Sequence, residues 1–312
     1  MGTMIRIGMI NTCIHAYLYG ACFGPYDRYQ YILGGGQTDI MESSSVPVIP
    51  FKNTVLGAVW SREKAHAEQF ARAFGCPIVD RREDLAAVVD AIFIANAGGP
   101  GDDHAEIAIP FLEKGIPVNV DKPLEASLEK ARELIAAAQR TGTPVFCSSL
   151  LHYARATEEL KALDLGEVRM VVATGGGDFE QVRNATHTFG TLTGFMGPGI
   201  RSAYAIGPKD QKGATVRFLW QDGRIGIVQM NGARGEFQLD VFGTKGSAMR
   251  QTLVPEYRYG AVGMARAWVS CLADAEKKPP LPYDHLLEIV AAVRAAQISR
   301  AEGREVELTE LG

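Results

Sequence analysis

"RIGMINTCIHAYLYG", residues 6–20, decides how the first half of the chain is read. Its beginning continues "MIRIGMI" (4–10), a short apolar run that reads as a buried strand. A strand leading into a dinucleotide-binding unit is followed by G-x-G-x-x-G/A. The first Gly makes a tight turn, and the second lets the backbone approach a pyrophosphate. Here Asn11 and Cys13 stand at those two places, while Ala16 at the third is ordinary. Asn tolerates the left-handed region, so Asn11 can keep the turn. Cys13 fits less well, because its Cβ stands where a phosphate oxygen should come close. Gly8 precedes the motif and does not replace the missing glycine.

Outward from this stretch, strand and helix alternate. "NTVLGAVW" (53–60), "AIFIAN" (91–96), "IPVNVDKP" and "TPVFCSS" read as strands. "REKAHAEQFARAFG", "REDLAAVVD", "DDHAEIAIPFLEKG" and "SLEKARELIAAAQRTG" read as helices, with Gly75, Gly115 and Gly142 as stops and Ser127 as an N-cap. Such alternation builds βαβ units and a doubly wound parallel sheet over residues 1–150. After 150 a helix near 153–162 leads into strand-like stretches separated by Gly turns, "ATVRFLWQDG", "RIGIVQMNGA" and "GEFQLDVFGTKG" among them. A long helix, "YDHLLEIVAAVRAAQISRAEG", and a short strand, "REVEL", close the chain. Residues 151–312 are therefore expected to form an α+β domain with a large, open, mainly antiparallel sheet.

Composition excludes several partners. Of 312 residues 46% are hydrophobic and 22% charged, as in ordinary globular chains, and the formal net charge is −4. There is no basic run to meet nucleic acid or an anionic membrane, and no stretch of about 18 apolar residues to span a bilayer. The beginning "MGTMIRIGMI" enters a strand directly, without the pattern of a signal peptide. Five cysteines, Cys13, Cys22, Cys76, Cys147 and Cys271, form no C-x-x-C pair, which points to thiols in a reducing cytoplasm.

Three stretches in order, "HAEIAIPFLEKGIPVNVDKPLEASLEKARELI", "FQLDVFGTKGSAM" and the tail from Pro282 to "AEGREVEL", resemble the glucose–fructose oxidoreductase/inositol dehydrogenase (Gfo/Idh/MocA) family over nearly the whole chain. The resemblance implies a Rossmann-like domain followed by an α+β domain whose open sheet carries a subunit interface, in a homodimer or homotetramer. It also implies hydride transfer between nicotinamide and a sugar, polyol or related hydroxy-acid substrate. Lys122 in "DKP" matches the family's E-K-P lysine, at a strand end facing the ligand crevice. Burial would lower its pKa and fit it for proton transfer; a solvated strand-end lysine is the plain alternative. His187 in "VRNATHTFG" matches the histidine of D-x-G-x-H, though Arg183 and Ala185 replace the aspartate and glycine. Arg183 cannot be a base and suits an anionic substrate; His187 could instead merely cap a helix.

The remaining expected contacts follow. Gly8, Ile10, Asn11, Thr12, Cys13, Asn96, His104 and Asp121 are expected at the cofactor, and His15, Tyr17 and His152 at the substrate. Ser61-Arg62, in "VWSREKA", replace the acidic ribose partner usual in the family and would suit the 2′-phosphate of NADP; a helix N-cap with a solvated neighbour explains them as well. Asp102 and Asp103 most simply cap the helix opened by His104. A metal held by Asp103, His104 and a distant histidine has no local ligand spacing behind it, so none is expected. From about Tyr17 to Asn53 the chain reaches its second strand late, by an insertion that could fold as a lid or fill the nucleotide's place. The expected cofactor is thus NADP or NAD, and with the glycines replaced, none is the alternative. Two rival functions stand beside the oxidoreductase: a non-redox lyase, isomerase or hydrolase on the same scaffold, and a non-catalytic small-molecule binder.

Overall fold

The computed structural model describes residues 4–35, 49–96, 101–233, 237–253, 256–274, 276 and 278–312. The alternating half forms a five-stranded sheet: β1 (Ile5–Ile10), β2 (Thr54–Trp60), β3 (Ala91–Ile94), β4 (Val118–Asp121) and β5 (Val145–Ser148). The order is β2-β1-β3-β4-β5 and every pairing is parallel. Strands β3, β4 and β5 are buried at every position, because helices cover both faces. Sequence order reverses direction at β1, so the crevice beyond the carboxyl ends of β1 and β3 is the place where such sheets hold ligands.

Helix α1 (Ile14–Phe23) follows β1 directly. Part of the stretch read as an insertion from Tyr17 is therefore the ordinary first crossover helix. It shows no polar stripe because Ala16 to Phe23 are all buried, so no 3.6-residue pattern is visible in the sequence. The added material begins with α2 (Arg28–Leu33), whose N-cap Asp27 accepts from Gln30 N. The Gly- and Ser-rich stretch 36–48 lies outside the described residues. Next come α3 (Lys64–Phe74), α4 (His104–Leu112) and α5 (Leu128–Thr141), the first and third ended by left-handed Gly75 and Gly142. Residues 82–87 form a 3-10 turn rather than the short α-helix expected.

The second half supplies α6 (Arg155–Lys161), β6 (Val168–Gly175), α7 (Val182–Met196), β7 (Ile200–Ile206), β8 (Ala214–Trp220), β9 (Ile225–Met230), β10 (Phe237–Gly243), β11 (Gly246–Thr252), α8 (Tyr257–Ala273), α9 (Tyr283–Glu302) and β12 (Val306–Glu307). Its sheet runs β11-β10-β6-β9-β8-β7-β12, antiparallel except between β6 and β9. Helices α7 and α9 cover one face, burying Phe189, Leu192 and Val293 against Val216, Phe218 and Trp220. Helix α8 packs back onto the first sheet, with Trp268 5.6 Å from both Phe23 and Phe93 between ring centroids. The architecture is an N-terminal Rossmann-like parallel sheet followed by a mainly antiparallel α+β sheet.

Candidate active site

A cavity of about 520 Å³ opens at the carboxyl ends of β1, β2 and β3, lined by Asn11, Thr12 and Cys13, by Ser61, Arg62 and Glu63, and by Ala95 and Asn96. Leu33 and Gly34, at the end of α2, form part of its wall, so this part of the added segment borders the cavity. Asn11 has φ +62°, the only positive φ of a non-glycine among the described residues. It performs the first glycine's turn, and its amide Oδ1 accepts a hydrogen bond from Arg62 N (3.3 Å), tying β1 to the end of β2. Cys13 takes the N-cap position of α1 in extended geometry, on the cavity wall. The buried Thr12 Oγ1 has no hydrogen-bond partner among the described residues, as a wall awaiting a polar ligand would show. Volume, place at the strand ends and this open hydroxyl fit a dinucleotide; the Cys13 side chain is the one feature against a close pyrophosphate.

Arg62 is exposed and pairs with Asp103 (Nη2 to Oδ2, 3.1 Å), whose other oxygen accepts from Asn96 Nδ2 at 2.7 Å. Asp103 therefore occupies the N-cap position of α4 without capping it. The buried Glu125 does so instead, accepting from Ala105 N at 2.5 Å. Gly8 and Ile10 line no cavity described here. Gly8 lies in the sheet, where a Cβ would stand 2.9 Å from Ile92 Cδ1, and Ile10 is fully buried in the core. Tyr17 reaches the cavity, but its ring is buried among Phe70 and Tyr31 (5.2 and 5.5 Å), and burial pushes its hydroxyl up to about 12.

The chemistry gathers at the end of β4. Lys122 is 5% exposed and its Nζ donates to the carbonyl of Arg183 at 3.2 Å. Burial holds the amine below its ordinary pKa, against the pull of Asp121 and Cys13. Burial would raise Asp121, but the charge and hydrogen bond of His15 and the charge of Lys122 outweigh it, so the carboxyl stays below its usual range. His15 Nδ1 lies 2.7 Å from Asp121 Oδ2, and its ring centroid is 6.4 Å from that of His187. His187 Nδ1 lies 2.9 Å from the hydroxyl of Ser149, which also accepts from Leu151 N. Burial, then the charges of Lys122 and His15, hold His187 well below the ordinary imidazole value. The Arg183 guanidinium donates to Gln181 Oε1 at 3.0 and 3.2 Å.

Two expected residues sit elsewhere. His104 is fully buried, with Nδ1 2.8 Å from the carbonyl of Pro123, and so it steadies the turn that carries Lys122. His152 lines a small pocket with Leu124, Leu286 and Val290, its ring 6.3 Å from His285. Burial first, then His285 and Lys161, lowers it to about 3. Among the described residues no group of three or more His, Cys, Asp or Glu is placed to hold a metal.

Residues 32–149 match the Gfo/Idh/MocA oxidoreductase family, an NAD-binding Rossmann fold. This match covers well under half of the chain. One relative is dTDP-3,4-didehydro-2,6-dideoxy-alpha-D-glucose 3-reductase of Streptomyces antibioticus, 32% identical over 145 residues, which is 44% of this chain and 43% of the relative. The match thus spans well under half of that relative's length. Two solved structures share the fold along almost the whole chain. One is GenD2 from gentamicin A biosynthesis in complex with NAD (TM-score 0.78, 19% identity, 98% of this chain and 97% of that one). The other is an oxidoreductase from Agrobacterium radiobacter in complex with NAD+, L-tartaric acid and magnesium (TM-score 0.77, 15% identity, 99% and 100%). Ser149 and Glu125 are site-shaping residues that sequence reading did not single out, and Asp103 it read as a helix cap. Asp103 had a signal in its place beside His104, but Ser149 and Glu125 matter only through contacts 38 and 20 residues away.

Proposed function

We propose that the chain is an NAD(P)-dependent oxidoreductase acting on a CH–OH group of a sugar, polyol or hydroxy acid. The observation that carries this reading is the cavity at the switch point of a Rossmann sheet, whose wall residue Cys13 acts electrostatically on the buried Lys122. When bound, the nicotinamide would supply the hydride acceptor. Asn11, Thr12 and Cys13 would hold the pyrophosphate end. Ser61 and Arg62, standing where an acidic ribose partner is usual, favour NADP over NAD once Arg62 leaves Asp103 for a 2′-phosphate. As the alcohol carbon gives up its hydrogen with the bonding pair, the hydroxyl proton passes to the neutral amine of Lys122. His187, kept neutral by burial, holds the same oxygen by a hydrogen bond. Arg183 can exchange Gln181 for a substrate carboxylate or phosphate, and a structural neighbour that binds L-tartaric acid supports an acidic substrate.

The outer face of the second sheet, with Met170, Val172, Leu219, Ile225 and Ile227 partly buried on adjacent strands, suits pairing with a second copy in a homodimer or homotetramer. Five cysteines without a disulfide among the described residues agree with a reducing cytoplasm. One observation favours the non-redox alternative: the Cys13 side chain in the phosphate turn. The deciding experiment is NADP+-dependent oxidation of a panel of polyols and hydroxy acids by wild type and Lys122→Met. Turnover by wild type that Lys122→Met abolishes supports the oxidoreductase; absence of turnover by wild type refutes it.

A further inference from the structure

His15 stands between Cys13 and Ala16 in the altered phosphate turn, and its surroundings go beyond substrate contact. Its Nδ1 is 2.7 Å from the carboxylate of Asp121, a side chain only 1% exposed, while the His15 side chain is 17% exposed. An ionised carboxylate only accepts, so Nδ1 carries the proton and Nε2 is left bare. Among the described residues nothing is hydrogen-bonded to His15 Nε2. At His187 the Nδ1 partner is the Ser149 hydroxyl, which accepts from Leu151 N and can either donate to this nitrogen or accept from it. The groups facing His15 are Asp121 at the end of β4, His187 on α7 and Tyr19 on its own helix, and the charge of Lys122 acts, with that of His15, on both Asp121 and His187. Of these three basic side chains, His15 alone has a buried carboxylate hydrogen-bonded to it.

Resting on the oxidoreductase reading, we propose that His15, aligned by Asp121, is the proton-relay residue of the site. The substrate C–H pair leaves as hydride to the nicotinamide and the O–H proton is first taken by Lys122. The proton then moves to His15 Nε2, which restores the neutral amine, and leaves to water from the more exposed ring. Reduction of a carbonyl runs the same path backwards. Asp121 is a positioning residue: it sets the tautomer and balances the imidazolium charge.

The test begins with nitrogen NMR of the six histidines in the dinucleotide-free protein, assigned with His15→Gln. His15 is expected with its proton fixed on Nδ1. In Asp121→Asn, His15 should lose its single tautomer while the His187 signals stay as in wild type. The second arm measures NADP+-dependent oxidation of myo-inositol, D-glucose and L-tartrate. His15→Gln should lower kcat by about 10²–10⁴-fold with KM changed less than about threefold, and added imidazole should restore part of the rate. Should Asp121→Asn fail to fold, His15→Gln alone decides. A mixed or Nε2-protonated His15 in wild type, or an unchanged kcat in His15→Gln, overturns the relay while leaving the oxidoreductase standing. Absence of oxidation by wild type overturns the oxidoreductase reading itself, and the relay with it.

Discussion

Lys122 shows how much one residue type at one strand end can say. An ammonium taken out of water is costly, so a buried lysine shifts toward its neutral form, and here burial outweighs the opposing pull of Asp121. A base must be neutral to accept a proton, so alcohol oxidation should rise with pH and reach half its maximum below the ordinary lysine value of about 10.4. A pH profile of kcat/KM checks this, and a rise delayed beyond that value would exclude Lys122 as the base. Asn11 was equally readable, since its amide side chain favours the left-handed turn it adopts at φ +62°. Asp103 was not: its position before His104 suggests a cap, but the carboxylate turns to Arg62 and Asn96 across the cavity. Position in sequence names the cap site, whereas the direction of the side chain depends on partners brought in by folding.

At the scale of elements, pattern reading succeeds where one face of an element meets water. Strands of the second sheet alternate and α3 and α5 show a polar stripe, so these were visible. Helix α1 is buried from Ala16 to Phe23 and carries no stripe, so its residues passed for part of an insertion. Helix α8 was hidden differently, because Gly260 and Gly263 look like breakers. Their use is close approach. A Cβ at Gly260 would collide with the Leu150 carbonyl, and one at Gly263 would lie 3.0 Å from Tyr153 Cβ. Since the Leu150–Tyr153 turn follows Ser149, the partner of His187, these glycines let α8 pack against the turn beside the site. Gly260→Ala should therefore destabilise by roughly 1–3 kcal/mol despite its better helix propensity, read by chemical denaturation. A gain in stability would show that α8 is not packed this closely.

At the scale of the whole molecule, three histidines, His152, His187 and His285, are held below the ordinary imidazole value by loss of solvent around the ring. His152 titrates near 3 when folded, against 6.5 for an ordinary imidazole. Between those values the unfolded chain binds more protons than the folded one, so stability is full above about 6.5 and falls as pH drops toward 3. The slope from one such group is at most about 1.4 kcal/mol per pH unit. Thermal unfolding between about pH 7 and pH 4.5 should fall less steeply in His152→Gln than in wild type; equal slopes would mean that His152 gains its proton without unfolding. Assembly is tested on the open sheet. The proposed pairing of two copies through this sheet predicts that wild type is an oligomer in light scattering and that Ile227→Glu, beside Val172 and Arg217 on the outer face, is a monomer; an unchanged mass would contradict that interface.

The central claim is that Asn11 and Cys13 have altered the phosphate turn without abolishing the dinucleotide site. Its most direct test is titration with NADPH and NADH, followed by nicotinamide fluorescence, in wild type and Arg62→Ala. Saturable binding is predicted, tighter for NADPH, with that preference lost and NADPH weakened by roughly 1–3 kcal/mol when Arg62 is removed. Absence of saturable binding by either cofactor in the wild type, persisting when Cys13→Gly reopens the turn, would contradict it.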